Sequence, residues 1–288
     1  MVLEEVTRLA LAVEANWCAA WASLAGVRAD PPTLVDDTPD SLRVYTPGVG
    51  EMLVNIIIRY RGPQPVAAAD VERTLAPYRA HRLPFQWWLT YGSEPPGLRE
   101  HLRRAGLISY GGIPSMALDL TRWQPPAAEA SGALAGVTLA HATTLEDAAA
   151  AHEVICRVFD VAPEPMARWT VANPRFALYV ARREGEPASA LATFRDGETV
   201  GVYHVATRYR HRRQGLAAHL LAVALLAARA QGATLATLTA TPEARHVYET
   251  LGFRAYGAIE QWVSPPEPLP GYGAGPSPWR GPNGPYER

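Results

Sequence analysis

The chain of 288 residues contains no lysine, so all 27 of its strong bases are arginine. A GC-rich coding bias accounts for this, in step with the abundant alanine, glycine and proline. The absence still excludes chemistry. Without lysine there is no Schiff base to pyridoxal phosphate, and no Walker-type lysine for a nucleotide-hydrolysing P-loop. Cysteine is nearly absent too. Cys18 and Cys156 lie far apart, without metal-ligand spacing, on apolar helical patterns. Both read as core thiols of a cytoplasmic protein that holds no metal. No apolar run is long enough to span a bilayer. The first residues, Met-Val-Leu-Glu-Glu, are acidic where a secretory signal would be basic. Charge of one sign is lacking as well. The formal net charge is -1, which supplies no global field for nucleic acid or an anionic membrane.

What is present is an ordinary globular composition, with 48% hydrophobic residues, and a length that suits two domains. Apolar residues at Val6, Leu9, Ala10, Val13, Trp17, Ala20, Trp21 and Leu24 recur in steps of three and four. That spacing predicts a helix over 3–25 that stops at Gly26. Strands are expected near 42–46, 52–60 and 85–91, helices over 66–79 and 96–105, and a strand over 107–120. The run Gln124-Pro125-Pro126-Ala127-Ala128-Glu129 reads as a linker. The second half predicts a strand over 136–140, a Thr144-capped helix through Phe159 and a hairpin of 176–183 with 187–195. Next are expected a strand over 200–207, a helix over 215–231, a strand over 233–240, a helix over 242–251 and strands over 253–263. The fold class is thus α/β (α+β). The expected domains are 1–125 and 136–264, joined by a linker at 126–135. From Pro265 proline and glycine dominate, so 265–288 is expected to be a disordered tail.

The most informative stretch is Val202 to Thr207, then Arg208-Tyr209-Arg210-His211, then Arg212-Arg213-Gln214-Gly215-Leu216-Ala217, then a long helix. A strand runs into a glycine-bearing turn that opens a helix. Such a turn aims several backbone N–H groups at one spot, at the positive end of a helix dipole. Gly215 allows close approach and Ala217 stays small, while Arg210, Arg212 and Arg213 add positive charge. Downstream lies Thr241-Pro242, a cap and first turn, and then Tyr248-Glu249-Thr250-Leu251-Gly252-Phe253.

The turn resembles motif A of the GNAT N-acetyltransferase superfamily, Arg/Gln-x-x-Gly-x-Gly/Ala, matched here by Arg212, Gly215 and Ala217. The downstream segment resembles the Tyr-x-x-x-Gly-Phe element that closes the same fold. The resemblance covers roughly 136–263. It implies acetyl-CoA as acyl donor and an amine as acceptor. By register, Val205, Ala206 and Thr207 would meet the pantetheine arm and the thioester carbonyl. Arg212, Arg213, Gln214, Gly215, Leu216, Ala217 and Ala218 would hold the pyrophosphate, with Thr241 also on the cofactor side. Tyr248 would be the general acid for the leaving thiolate. His204 is the natural candidate for a base because it titrates near neutrality. Strand parity weighs against it, since only one of Tyr203 and His204 faces the cleft, and an ordered water is the alternative.

In the first half, Leu98 to Leu107 parallels Arg245 to Phe253. Aligning Gly106 with Gly252 puts Leu102 where Tyr248 stands. No Arg-x-x-Gly-x-Gly/Ala turn is found there. The half resembles a degenerate copy of the same fold, as in tandem GNAT proteins, so two GNAT-like domains are expected, each a mixed central sheet flanked by helices. The alternative is an unrelated α+β domain. Trp87 and Trp88 must face opposite sides of a strand, so one is expected to line a cleft for the acceptor. The leading function is acetyl transfer to a primary amine of a small molecule or peptide. The alternatives are another acyl group, a hydroxyl acceptor, or a non-catalytic acyl-CoA sensor. No nucleic acid or membrane partner is expected, and the protein is expected to be a monomer or homodimer.

Overall fold

The computed structural model describes residues 2–91, 95–125 and 134–264. Most of the expected linker, residues 126–133, and the whole expected tail, 265–288, lie outside the described residues. The described chain forms two compact units. One holds residues up to Pro114 and takes in the chain again from Gly257, and the other runs from Ser115 to Tyr256.

The first unit opens with helix α1 (Val2–Ala22) and a 3₁₀ turn at Ser23–Gly26. Then come strands β1 (Leu34–Asp37), β2 (Leu42–Tyr45) and β3 (Ile56–Ile58), helix α2 (Ala68–Ala80), strand β4 (Gln86–Leu89) and helix α3 (Leu98–Arg104). β2 pairs antiparallel with β1 and β3, and β3 pairs parallel with β4. Strand β1 was not expected. Met52–Val54 form a 3₁₀ turn, not the start of a strand. Asn55 explains this: its side-chain amide donates to the Val49 and Glu51 carbonyls and its Oδ1 accepts from Thr46 N, at 2.8–2.9 Å. Those bonds fold the segment on itself.

Both faces of β4 are buried, so neither tryptophan lines a cleft as the sequence led us to expect. Trp88 lies edge-on to Trp17 and Trp21, with ring centroids at 4.8 and 5.1 Å. Trp87 packs in the opposite cluster with Tyr60, Leu75 and Leu102. In an isolated hairpin one face would stay open. Here helices cover both.

The second unit begins with the last residues of strand β5 (Ile108–Asp119), followed by β6 (Val137–His141) and helix α4 (Leu145–Phe159). The Thr144 Oγ1 accepts from Asp147 N at 3.1 Å and caps that helix as expected. A short helix, α5 (Pro163–Trp169), was not foreseen. Seven residues with proline at the first turn carry too little periodicity to read. Strands β7 (Phe176–Arg183), β8 (Glu186–Asp196) and β9 (Thr199–Thr207) follow as antiparallel neighbours. Helix α6 (Leu216–Ala230) crosses to β10 (Leu235–Thr239), which lies parallel to β9. Helix α7 (Pro242–Thr250) and strand β11 (Arg254–Val263) complete the chain. α6 buries Leu216, Leu220, Leu221, Ala224, Leu225 and Ala228 on one face, each leucine contributing about 1.5–3 kcal/mol.

The units share a topology. Strand order is β1-β2-β3-β4-β11 in the first and β5-β10-β9-β8-β7-β6 in the second. Each contains one parallel step crossed by a helix and then a final antiparallel strand. That final strand is exchanged. Glu260–Val263 of β11 pair with β4, and Ser115–Asp119 of β5 pair with β10. A cut at the linker does not describe this arrangement, because strand pairing is non-local.

The ends of α3 and α7 also match. Leu107 N donates to Leu102 O and Gly106 N to Arg103 O, at 3.0 and 3.1 Å. Phe253 N donates to Tyr248 O and Gly252 N to Glu249 O, both at 3.0 Å. These are Schellman ends with glycine at positive φ, +90° and +96°. The alignment of Gly106 with Gly252, and so of Leu102 with Tyr248, is therefore also a structural one.

Candidate active site

The site forms where β9 leaves β10. Their parallel pairing covers Leu235↔Thr199, Ala236↔Val200 and Thr237↔Gly201. Beyond Gly201 no pairing with β10 continues among the described residues, and Val202, Tyr203, Ala206 and Thr207 pair with β8. The same strand bulges. Ala192 lies opposite Tyr203 and Ala190 opposite Ala206, so His204 and Val205 together face Leu191 alone. His204 takes φ +52° to make the bulge. The alternation assumed for Tyr203 and His204 is broken at this point. Ser189 holds the far end: its Oγ donates to the Ala206 carbonyl at 2.7 Å and lies 2.8 Å from the Thr207 hydroxyl. Ser189 carried no signal in the sequence.

The turn after β9 supplies the second part. Gly215 caps α6 with φ +77°, and Arg213 also has positive φ, +62°. Among the described residues, the amides of Arg213, Gln214, Gly215, Leu216, Ala217 and Ala218 make no hydrogen bond to a protein acceptor. The first amide of the helix to do so is that of His219, to the Gly215 carbonyl at 3.1 Å. The first turn of α6 carries no acidic residue. Six free amides at a positive helix end make an anion cradle. The nearby arginines differ in availability. Arg210 is bound to Glu186, Arg208 to Glu153, and Arg212 donates through Nε to the Thr207 carbonyl at 3.0 Å. Arg213 is exposed and makes no bond among the described residues. The positive field registers on His211, which is pushed down by partial burial and then by Arg210, Arg183 and Arg208.

Tyr248 is 6% exposed in the cluster that also holds Val202 and Phe253, and Val205 packs against that cluster. Its hydroxyl makes no hydrogen bond among the described residues, and burial pushes the phenol well above its ordinary range. It is therefore a protonated hydroxyl with its donor unspent. Thr241 caps α7, accepting from Ala244 N at 3.4 Å. His204 lies edge-on to Phe159 and Trp169, with ring centroids at 5.8 and 6.1 Å. Its Nε2 is buried without a partner, and burial pushes the imidazole down to about 3. Such a ring stays neutral at physiological pH and is a poor base for an ammonium ion.

The corresponding turn of the first unit is built otherwise. Pro63 and Pro65 have no N–H to offer. The Asp70 carboxylate occupies the start of α2, accepting from Ala67 N at 2.9 Å.

The family model described as "Acetyltransferase (GNAT) domain" matches residues 142–261. The C-terminal half is a GNAT domain. Its free-amide turn and its tyrosine belong to that domain, and the chain carries a GNAT-type acyltransferase domain. The fold of the whole chain is similar to that of a GCN5-related N-acetyltransferase from Kribbella flavida. The two share 20% identity with a TM-score of 0.65, over 90% of this chain and 98% of that one. A tandem GNAT protein from the clavulanic acid biosynthesis pathway is 16% identical with a TM-score of 0.55, over 92% of this chain and 96% of that one. A GCN5-related N-acetyltransferase from Sphaerobacter thermophilus is 16% identical with a TM-score of 0.56, over 80% of this chain and 81% of that one. No curated protein matches the chain in sequence. No helix among the described residues is long and apolar enough to cross a membrane.

Proposed function

We propose that the GNAT domain transfers the acetyl group of acetyl-CoA to a primary amine of a small molecule or peptide, by direct attack on the thioester. The observation that carries this reading is the row of six free amides, 213–218, continuous with the unpaired edge of β9. A pyrophosphate supplies acceptors for such a row. Arg213 adds charge there and Arg212 braces the turn. The backbone at Val205, Ala206 and Thr207 would hold the pantetheine arm, with Leu216, Ala217 and Ala218 small or inward-facing beneath the phosphates. Thr241 contributes by starting α7, the helix that carries Tyr248.

Acetyl-CoA supplies the activated thioester, and the chain's own groups do the rest. Tyr248 offers its proton to the departing sulfur. The low ring basicity of His204 leaves it as a neutral wall of the site, so the acceptor's proton leaves through ordered water. Two free thiols fit a reducing compartment such as the cytoplasm. The test is incubation with acetyl-CoA and a panel of primary amines, reading free thiol. We expect amine-dependent thiol release. Tight acetyl-CoA binding with no release from any amine or alcohol would convert the reading into that of an acyl-CoA sensor.

A further inference from the structure

Three side-chain bonds meet where β9 runs out into the turn before α6. Arg208 N donates to the Ala188 carbonyl at 2.9 Å, and the next pair toward the bulge is Ser189↔Thr207. Antiparallel pairs alternate between bonded and non-bonded. The N–H and C=O of Thr207 therefore point away from β8, to the side that β10 has left. The Ala206 carbonyl points the opposite way, across the planar peptide that it shares with Thr207 N. Ser189 grips it there, with Oγ donating to Ala206 O at 2.7 Å. A carbonyl can only accept, so the one proton of the Ser189 hydroxyl is committed to it. The 2.8 Å contact between the Ser189 and Thr207 hydroxyls then has a single direction, with Thr207 Oγ1 donating. Arg212 Nε completes the set on the Thr207 carbonyl at 3.0 Å.

Ser189 is fully buried, where a hydroxyl is tolerated because it is bonded on both sides. Its place matters because the bulge takes His204 and Val205 out of the regular ladder just before this peptide. An interrupted ladder leaves the plane of the next peptide to be set by something else, and here a side chain sets it. We infer that Ser189 is a positioning residue for the acyl donor: it turns the Ala206–Thr207 peptide so that the Thr207 N–H faces the groove, on the edge of β9 that leads to the free amides of 213–218. The inference rests on the reading that acetyl-CoA fills both groove and cradle. The Ser189 joint then fixes the groove, which takes the pantetheine arm, relative to the cradle, which takes the pyrophosphate. A ligand held at both places depends on that joint, and a ligand held only at the cradle does not.

The test is calorimetry on the full chain with two ligands. Acetyl-CoA spans the joint, and adenosine 3′,5′-bisphosphate lacks the pantetheine arm. Ser189→Ala should weaken acetyl-CoA about tenfold, the loss of one aimed donor, and leave the bisphosphate within twofold. Thr207→Val keeps the shape of the side chain and removes its bond to Ser189. It should weaken acetyl-CoA several-fold, and Thr207→Ser, which keeps the hydroxyl, should retain wild-type affinity. On the Ser189→Ala background Thr207→Val should add nothing, because both act through one chain of bonds. A serine with a merely structural role would weaken both ligands alike or neither, and either result overturns the inference. Additive losses in the double variant overturn it too. Should Ser189→Ala not fold, an unchanged acetyl-CoA affinity in Thr207→Val overturns it. A wild-type chain that binds acetyl-CoA but not the bisphosphate also overturns it, since the cradle would hold no phosphate by itself. A wild-type chain that binds neither ligand overturns the proposed donor as well, which separates the two failures.

Discussion

At the scale of single residues, the site rests on one glycine, one tyrosine and one histidine. Gly215 sits at φ +77°, and an added Cβ would meet His219 Nδ1 at 3.2 Å. Gly215→Ala should cost about 1–2 kcal/mol of strain in that turn and weaken acetyl-CoA roughly tenfold. Gly215→Glu, which adds a negative charge at the cradle, should abolish binding by calorimetry. Tyr248→Phe removes an unspent donor and no contact to phosphate. It should leave cofactor affinity intact and lower kcat by about 10²–10⁴-fold, measured with a confirmed amine. A wild-type rate would make Tyr248 a packing residue. His204 is a neutral imidazole held far below its ordinary 6.5, at about 3. Below pH 6.5 the unfolded chain takes up a proton that the folded ring refuses. Stability is therefore full above 6.5 and falls as pH drops toward 3, by at most about 1.4 kcal/mol per pH unit from this group. His204→Asn tolerates the positive φ and should remove that part of the slope in urea titrations between pH 4 and 7. His152 and His211 also titrate low, so the difference between wild type and variant is the quantity to read. An unchanged slope would show that His204 is not buried in the neutral form.

At the scale of elements, the exchanged strands decide what is separable. β10 pairs with Ser115–Asp119 along its whole length, from Leu235 to Thr239. A fragment starting at residue 134 would leave that edge bare, with Leu238 and Ala236 beside unsatisfied backbone groups. We expect 134–264 to aggregate or remain unfolded by circular dichroism and size exclusion. We expect 115–264, which restores the strand, to fold and to bind acetyl-CoA. Equal folding of the two fragments would show that the β5 pairing is dispensable. The bulge at 204–205 acts at the same scale. It turns β9 away from β10 and exposes the backbone that the proposed donor needs.

At the scale of the whole molecule, the two units are one topology used twice with unequal equipment. Among the described residues, the row of six free amides at the crossover helix belongs to the second. The first has Asp70 and two prolines at that place, and Leu102 in the position of Tyr248. One acetyl-CoA per chain should therefore be found by calorimetry, and a stoichiometry of two would refute the contrast between the turns.

Local grammar made much of this legible in the sequence. The turn at Arg212–Ala217, the Thr144 and Thr241 caps, the glycine ends at Gly106 and Gly252 and the amphipathic helices are short-range features, set by neighbours within a few residues. Residues 52–54 and the short helix at 163–169 escaped because Asn55 folds its own segment and seven residues hold too little periodicity. Other properties needed the fold. The pKa of His204 depends on Phe159 and Trp169, which reach it from other elements. The burial of both Trp87 and Trp88 depends on helices covering each face. The exchange of β5 and β11 depends on which strand wins a distant edge. Pairing and burial are long-range, and only the packed chain decides them.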